Sequence, residues 1–240
     1  MTSLRLLFGS TFLLCILSLA SAEEVEGIVL PDKDVTVSGF VENIITSVLI
    51  EEGDFVTEGQ LLAKLDNRTE RLQVELWRKR LELLEVAYQS TLNLRKDNIV
   101  SEEETLNAEI ERDLAQIQLD IAKSNLEDTE IRSAINGIVV EVFKEPGELV
   151  RRGENLFRIV NTETVFVQLY LPASQVTGLE LQSAVEVRFP FLQDITSQTG
   201  IIDFIDPAVD PNSGFQRVRV KLKNDAETIR AGQRCRVIFP

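Results

Sequence analysis

Hydrophobic and polar positions alternate in two stretches of this chain, and the second stretch repeats the first. From Val37 to Asp66, strand-like alternation pauses at turn signals such as Glu52-Gly53-Asp54. The repeat begins 94 residues later and keeps the same residue at six of seven marker positions. Alternation of this kind predicts short β-strands. Because about thirty residues make only a marginal core, the two halves are expected to close into one β-sandwich.

The repeat also predicts where the backbone must turn. Glycine stands at equivalent turn positions in both halves, and the single mismatch sets Asn43 against Gly137. Asparagine is the non-glycine residue that best tolerates a left-handed backbone, so we expect these two residues to fill one strained turn position. The predicted structural turn residues are Asn43, Gly53, Gly59, Gly137, Gly147 and Gly153.

Between the halves, residues 67–128 contain no glycine and no proline and are rich in Leu, Glu, Arg, Gln and Ala, which predicts helix. Two helices of about 26 to 28 residues would form a hairpin with arms about 40 Å long. The pattern breaks before Ser101, which begins a capping box with Glu104. Coiled-coil spacing predicts packing stripes at Val74, Trp77, Leu81, Leu84 and Tyr88 and at Ile110, Leu114, Ile117 and Ile121.

The rest of the chain also alternates. Residues 162–240 hold five further strand-like stretches separated by proline and glycine turns, which predicts a small antiparallel β-barrel. Residues 23–36 add a short strand, closed by Pro31-Asp32, that we expect to join this barrel. The predicted fold class is mixed β plus α. A split β-sandwich (residues 37–66 and 129–161) is interrupted by an antiparallel coiled-coil α-hairpin and followed by the barrel.

The N-terminus has the pattern of a secretory signal peptide. Arg5 precedes the apolar run Thr11 to Leu19 and a small-x-small cleavage site that ends at Ala22, so residues 1–22 are expected to be removed. The run is too short to span a membrane as a helix. Cys15 lacks the small preceding residue that lipid attachment requires. Cleavage leaves Cys235, which we expect to behave as a small buried hydrophobic residue on a strand.

Composition narrows the chemistry. The net charge of −14 argues against nucleic acid or an anionic membrane surface as the partner. The chain has no histidine and its one methionine is Met1, so it lacks the imidazole and thioether ligands that a metal carrier needs. The sequence contains no nucleophile elbow, phosphate loop or paired catalytic motif. We therefore predict a protein that is not an enzyme, with no catalytic, cofactor-binding or metal-binding residues.

Taken together, these features resemble the periplasmic adaptor subunits, or haemolysin-D-like membrane fusion proteins, of bacterial tripartite efflux systems. The resemblance covers nearly all of the chain after residue 22. It rests on the two lipoyl-like halves, the inserted hairpin and barrel motifs such as Asp206-Pro207-x-Val209-Asp210 and Ala231-Gly232-Gln233. It implies a periplasmic homo-oligomer, possibly a ring, held at the inner membrane by a transporter and linked to an outer-membrane channel. A transporter of the resistance-nodulation-division (RND) type is favoured over an ABC exporter.

In that family the hairpin tip meets the outer-membrane channel, so the resemblance implies partner docking by Leu94, Ile99, Val100 and Ser101. Tip sequences in the family commonly follow Arg-x3-Leu-x6-Ser. Leu94 and Ser101 match, whereas Ser90 stands where the family has arginine. The missing guanidinium removes a multi-donor contact, so the channel is expected to be recognised differently.

Two other functions remain open at this point. Lipoyl-like carriers hold lipoate or biotin on a lysine at the turn between the halves, but helices occupy that junction here and Lys64 lies inside a strand. The second is a stand-alone periplasmic scaffolding or binding protein that reuses the architecture without a pump. The ends of the chain and the missing tip arginine favour it slightly, because the membrane-proximal β-domain of many family members is expected to be absent or vestigial and Ser90 replaces the family's arginine.

Overall fold

The computed structural model describes residues 24–190, 197–225 and 228–239. The predicted signal peptide, residues 1–22, lies outside the described residues. The helices are α1 (Arg68–Lys96), α2 (Glu102–Glu127) and α3 (Ala173–Val176). The strands are β1 (Glu24–Ser38), β2 (Asn43–Val48), β3 (Phe55–Val56), β4 (Leu61–Leu65), β5 (Glu130–Arg132), β6 (Gly137–Val142), β7 (Leu149–Val150), β8 (Asn155–Pro172), β9 (Ala184–Arg188), β10 (Ser197–Ile205), β11 (Phe215–Lys223) and β12 (Arg234–Ile238).

The two repeated halves form one sandwich, as the sequence predicts. Strands β5, β4, β2 and β7 make one sheet in that order, and the second sheet is built on β3, β6 and β8. Each sheet joins both halves, since Ile44 of β2 lies opposite Leu149 of β7 and Phe55 of β3 lies opposite Ile138 of β6. The inward residues fill a shared core, with repeat-related pairs such as Leu62 and Leu156 fully buried. Neither half encloses this core alone.

The predicted barrel is confirmed. Its strands follow the order β1-β12-β9-β10-β11-β8, and a further pairing of β1 with β8 closes the ring. The N-terminal strand joins it as expected, with Glu24 opposite Ile238 and Ile28 opposite Arg234. The expectation that Pro31 ends this strand is wrong, because β1 continues to Ser38. Proline is compatible with a strand wherever the ladder needs no N–H donor.

By compactness the chain divides into two units, and both β1 and β8 contribute to each. The first contains residues 24–28, Val167–Lys221 apart from its undescribed part, and residues 234–239. The second contains Val29–Phe166 and the described part of Leu222–Gln233. In the first unit Cys235 is buried, and burial raises the pKa of its thiol to about 12. This confirms Cys235 as a small buried residue on a strand.

Candidate partner-docking hairpin

Helices α1 and α2 pack side by side in opposite directions. Near the turn that joins them, Arg95 of α1 and Glu102 of α2 form an ion pair of 3.2 Å. Toward the other end, Val74 is buried in a small cluster with α2 residues. Trp77 and Leu81 pack against the same cluster, which confirms the stripe that the sequence predicts for α1.

The stripe predicted for α2 is wrong. Ile110, Leu114, Ile117 and Ile121 are 47 to 57% exposed and face away from α1. The residues that face α1 are two alanines and two leucines, namely Ala115, Leu119, Ala122 and Leu126. Their own spacing of four, three and four residues is also coiled-coil spacing. Ala115 and Ala122 leave space for bulky α1 residues such as Trp77, so this stripe can pack closely against α1.

Both helices therefore carry a second apolar stripe on the side opposite their mutual contact. We call these the outer stripes. On α1 the side chains are 60 to 66% exposed, and the α2 stripe includes the isoleucines misassigned from sequence. Sequence reasoning missed the α1 stripe, although its spacing is that of one helix face. The outer stripes are Leu72, Leu76, Leu83 and Val86 on α1, and Leu106, Ile110, Leu114, Ile117 and Ile121 on α2.

The two helices differ in charge. Helix α1 has seven basic and four acidic residues, whereas α2 has two basic and eight acidic residues. Lys79 lies within one turn of Leu76 and Leu83 on the outer stripe of α1, and Asp120 lies similarly beside Ile117 on α2. A hydrogen bond to Glu82 raises the pKa of Lys79, and bonds from Gln116 and Lys123 lower that of Asp120. Both groups therefore stay charged at neutral pH.

The hairpin tip is a hydrogen-bonded turn. Asn98 has a left-handed backbone with φ of 58°, and its N–H donates to the carbonyl of Arg95 at 2.9 Å. The N–H of Ile99 donates to the carbonyl of Leu94 at 2.9 Å. Together these two bonds make a Schellman motif, which closes the end of α1. Ser101 then caps α2 as predicted, since its Oγ accepts the N–H of Glu104 at 3.1 Å.

This turn brings the four tip residues together. Ile99 is 67% exposed and Leu94 is 41% exposed, whereas Val100 is half-buried. Ser101 is exposed but its hydroxyl is engaged in the cap. The tip therefore presents two apolar side chains on a fixed backbone. Ser90 does not extend this surface, because its hydroxyl donates to the carbonyl of Val86 one turn earlier at 2.8 Å.

Four of the predicted turn residues have the expected left-handed backbone. Gly53, Gly59, Gly147 and Gly153 have φ values of 96°, 81°, 93° and 79°. The expectation for Asn43 and Gly137 is wrong, because neither has a positive φ and each begins a strand. The amide of Asn43 instead donates to the carbonyl of Asp66 at 2.7 Å. Gly137 is required for space, since a Cβ there would lie 2.5 Å from the carbonyl oxygen of Val160.

The same substitution at two glycines tests this correction. We expect Gly137→Asn to destabilise the sandwich by about 1–3 kcal/mol, because the new side chain overlaps the Val160 backbone. Gly53→Asn should cost at most about 1 kcal/mol, because its surroundings are open and asparagine tolerates a left-handed backbone. Thermal unfolding followed by circular dichroism measures both. Equal melting temperatures for the two variants would show that Gly137 is not sterically confined.

Residues 24–190, 197–225 and 228–239 show neither a metal site nor a membrane-spanning helix. In this part of the chain, no group of three or more histidine, cysteine, aspartate or glutamate side chains is arranged to hold a metal ion. None of the helices described is both long and apolar enough to cross a membrane.

Solved structures share this architecture. A chimeric MacA–MexA protein with the Pseudomonas aeruginosa MexA α-hairpin domain matches with a TM-score of 0.80 and 20% identity, covering 90% of this chain and 78% of the other. The membrane fusion protein Spr0693 from Streptococcus pneumoniae matches with a TM-score of 0.72 and 19% identity, covering 89% and 99%. At these identities the likeness concerns the fold alone.

Family models match two consecutive segments. Residues 33–162 match the barrel-sandwich hybrid domain of RND membrane fusion proteins, and residues 164–239 match the CusB-like β-barrel domain. The chain therefore belongs to the RND membrane fusion protein family, whose members are adaptors.

Curated relatives are distant in sequence. The nodulation protein NolF of Rhizobium meliloti is 22% identical over 89% of this chain, and the cobalt-zinc-cadmium resistance protein CzcB of Cupriavidus metallidurans is 24% identical over 84%. An uncharacterized protein of Haemophilus influenzae is 24% identical over 85%. The chain spans 62%, 41% and 58% of the lengths of these three relatives.

Proposed function

We propose that this chain is a periplasmic adaptor that links an inner-membrane transporter to an outer-membrane channel for the efflux of small molecules. The observation that carries the proposal is the hairpin. It is an insertion of two long antiparallel helices whose far end is a hydrogen-bonded turn with two exposed apolar side chains. An element of this kind contributes little to the sandwich core and is suited to reaching a partner.

The tip is the proposed contact with the channel. Leu94 and Ile99 supply apolar area that is fixed before binding, so little conformational entropy is lost on docking. Val100 supports them from the half-buried side, and Ser101 holds the start of α2 in place. Because Ser90 has no guanidinium to offer, this docking depends mainly on shape and apolar burial rather than on ion pairs.

The outer stripes are the proposed contacts between copies of the chain. Each hairpin has one stripe on each side, so α1 of one copy can cover the α2 stripe of the next. Such a heterologous contact, repeated around an axis, generates a closed ring. The opposite charges of α1 and α2 favour this pairing over α1 on α1 or α2 on α2.

The positions of the charged residues along the hairpin axis are compatible with a ring in which all tips point in the same direction. Within one hairpin, Arg112 of α2 lies beside Glu85 of α1, with 3.7 Å between Nε and Oε2. Because the two helices run in opposite directions, residues before Glu85 on α1 lie level with residues after Arg112 on α2. Lys79 therefore lies level with the part of α2 between Asp113 and Asp120. Rotation about an axis parallel to the hairpins leaves the height of each residue along that axis unchanged. Residues that lie level within one hairpin therefore also lie level between neighbouring copies. Lys79 would then face two carboxylates of its neighbour.

The partner at the inner membrane is proposed to be an RND transporter, in keeping with the family to which the chain belongs. The β-barrel of this chain would make the contact with the transporter. The relative CzcB is named for cobalt, zinc and cadmium resistance. Metal ions are not the proposed cargo of this chain, because its sequence has no histidine and its one methionine lies in the predicted signal peptide.

Co-purification from the native host tests the proposal. The chain is tagged at its C-terminus, crosslinked in intact envelopes and recovered, and its partners are identified by mass spectrometry. The expected result is recovery of a multi-span inner-membrane transporter together with an outer-membrane channel. Recovery of neither, with the chain monomeric in the periplasm, would contradict the proposal and favour a stand-alone scaffold.

A further inference from the structure

A concave surface lies on the sandwich unit and is lined by no residue of the hairpin helices. It is a cleft of about 730 Å³ between the outer face of strands β6 and β8 and the segment 229–231. The residues that line it all belong to the unit formed by Val29–Phe166 and Leu222–Gln233. Its volume falls in the range of sites for small organic ligands, roughly 300–1,000 Å³.

The floor of the cleft is apolar because β6 contains a β-bulge. Val139 pairs with Ile159 and Glu141 pairs with Arg158, which leaves Val140 as the extra residue. The bulge turns Val140 outward, where it is 43% exposed. Its side chain lies in the cleft lining with Ile138 and Val160, and Ile229 forms part of the opposite wall.

The first half of the repeat shows that the fold does not require this apolar floor. Strand β2 has the same bulge at Thr46, the repeat equivalent of Val140. Thr46 is polar and its hydroxyl donates to the carbonyl of Lys64 at 2.9 Å. The equivalent of Val160 in the first half is Asp66. An exposed valine at this bulge in the second half therefore points to a ligand rather than to a folding requirement.

Two arginines border the apolar floor. Arg158 uses Nε and Nη2 to bind the carboxylate of Asp34, at 2.8 and 2.6 Å. Its remaining nitrogen, Nη1, donates to no other described group, so the guanidinium keeps donors available. Arg230 forms no ion pair with any described residue. Among the described residues that line the cleft none is a carboxylate, although Glu141 stands opposite Arg158 in the β6–β8 ladder.

We propose that this cleft binds an amphiphilic organic anion, with its hydrocarbon part on Ile138, Val140 and Val160 and its acidic group between Arg230 and Nη1 of Arg158. Guanidinium groups bind carboxylates, sulfonates and phosphates through paired hydrogen bonds. A cationic amphiphile of the same size would place its charge beside two guanidinium groups. The inference goes beyond adaptor docking and does not depend on it.

Isothermal titration calorimetry of the chain from residue 23 onward, with decanoate as the probe, tests the inference. Binding of one decanoate is expected. Arg230→Gln should weaken it by at least about tenfold, since a charge-assisted hydrogen bond is lost. Val140→Thr should weaken it several-fold, and threonine is a residue that the same bulge already accepts at position 46. The double variant should show no measurable binding.

Matched controls separate this cleft from the apolar outer stripes of the hairpin. Thr46→Val in the first half and Ile117→Ser on α2 should leave decanoate binding unchanged, and decyltrimethylammonium should not bind at the cleft. Unchanged decanoate affinity in the double variant, or equal affinity for the cation, would overturn the proposal. A fall in sedimentation coefficient caused by Val140→Thr would also overturn it, because a second copy of the chain would then be the occupant.

Discussion

Replacing Leu94 and Ile99 together with aspartate is expected to abolish export in the native host, while the sandwich and the barrel stay folded. Both side chains are exposed at the tip and are proposed to be buried by the channel. Burial of each is worth about 1.5–3 kcal/mol, so losing both weakens docking by a factor of roughly 10² to 10⁴. The measurement is growth of the host on a panel of toxic compounds, compared with a deletion strain.

The matched control for this variant is Leu49→Asp, at a similarly exposed leucine on the sandwich unit. It makes the same chemical change far from the tip in sequence and should leave resistance to the compounds intact. Circular dichroism and the cellular level of each variant establish that the chains fold and accumulate equally. Full resistance in the tip variant, at normal protein levels, would refute docking through Leu94 and Ile99.

Replacing Leu76 and Ile117 together with aspartate is expected to convert the proposed oligomer to a monomer. One residue lies in each outer stripe, so every contact between copies would have to bury two new carboxylates. The cost of burying an unpaired charge is roughly 3–5 kcal/mol, which lowers the association constant more than a hundredfold. Analytical ultracentrifugation of the chain from residue 23 onward measures the assembly directly.

A second pair on the same helices controls for added charge. Gln73→Asp and Gln118→Asp change two exposed residues that lie outside the outer stripes, so assembly should persist. Higher ionic strength should weaken assembly of the unaltered chain, because it screens attraction between the basic α1 and the acidic α2. If the Leu76 and Ile117 variant sediments like the unaltered chain, the outer stripes are not the contact between copies.

The sequence predicted the sandwich and the barrel because both follow from local rules. Alternation over a few residues defines which side of a strand is buried, and the repeat required two halves to share one core. The cap at Ser101 was equally predictable, since it depends on residues only three positions apart. None of these inferences required knowledge of which segments meet in space.

The errors arose where the answer depends on a distant segment. Helix α2 has two apolar stripes with acceptable spacing, and which of them is buried depends on the side chains of the facing helix, such as Val74 and Trp77. Gly137 was expected to serve backbone conformation, but the constraint is the carbonyl oxygen of Val160 on the neighbouring strand. Similarly, Val140 gives no sign in the sequence that it lines a cleft with the segment 229–231.

Site-specific photocrosslinking from the tip tests the central claim most directly. A photoreactive amino acid is placed at position 99 in the native host, and the products are compared with those from position 181 on the barrel unit. The proposed function predicts an adduct with an outer-membrane channel from position 99 and none from position 181. Absence of any outer-membrane adduct from position 99, in cells whose export is intact, would contradict the proposal that the tip docks the channel.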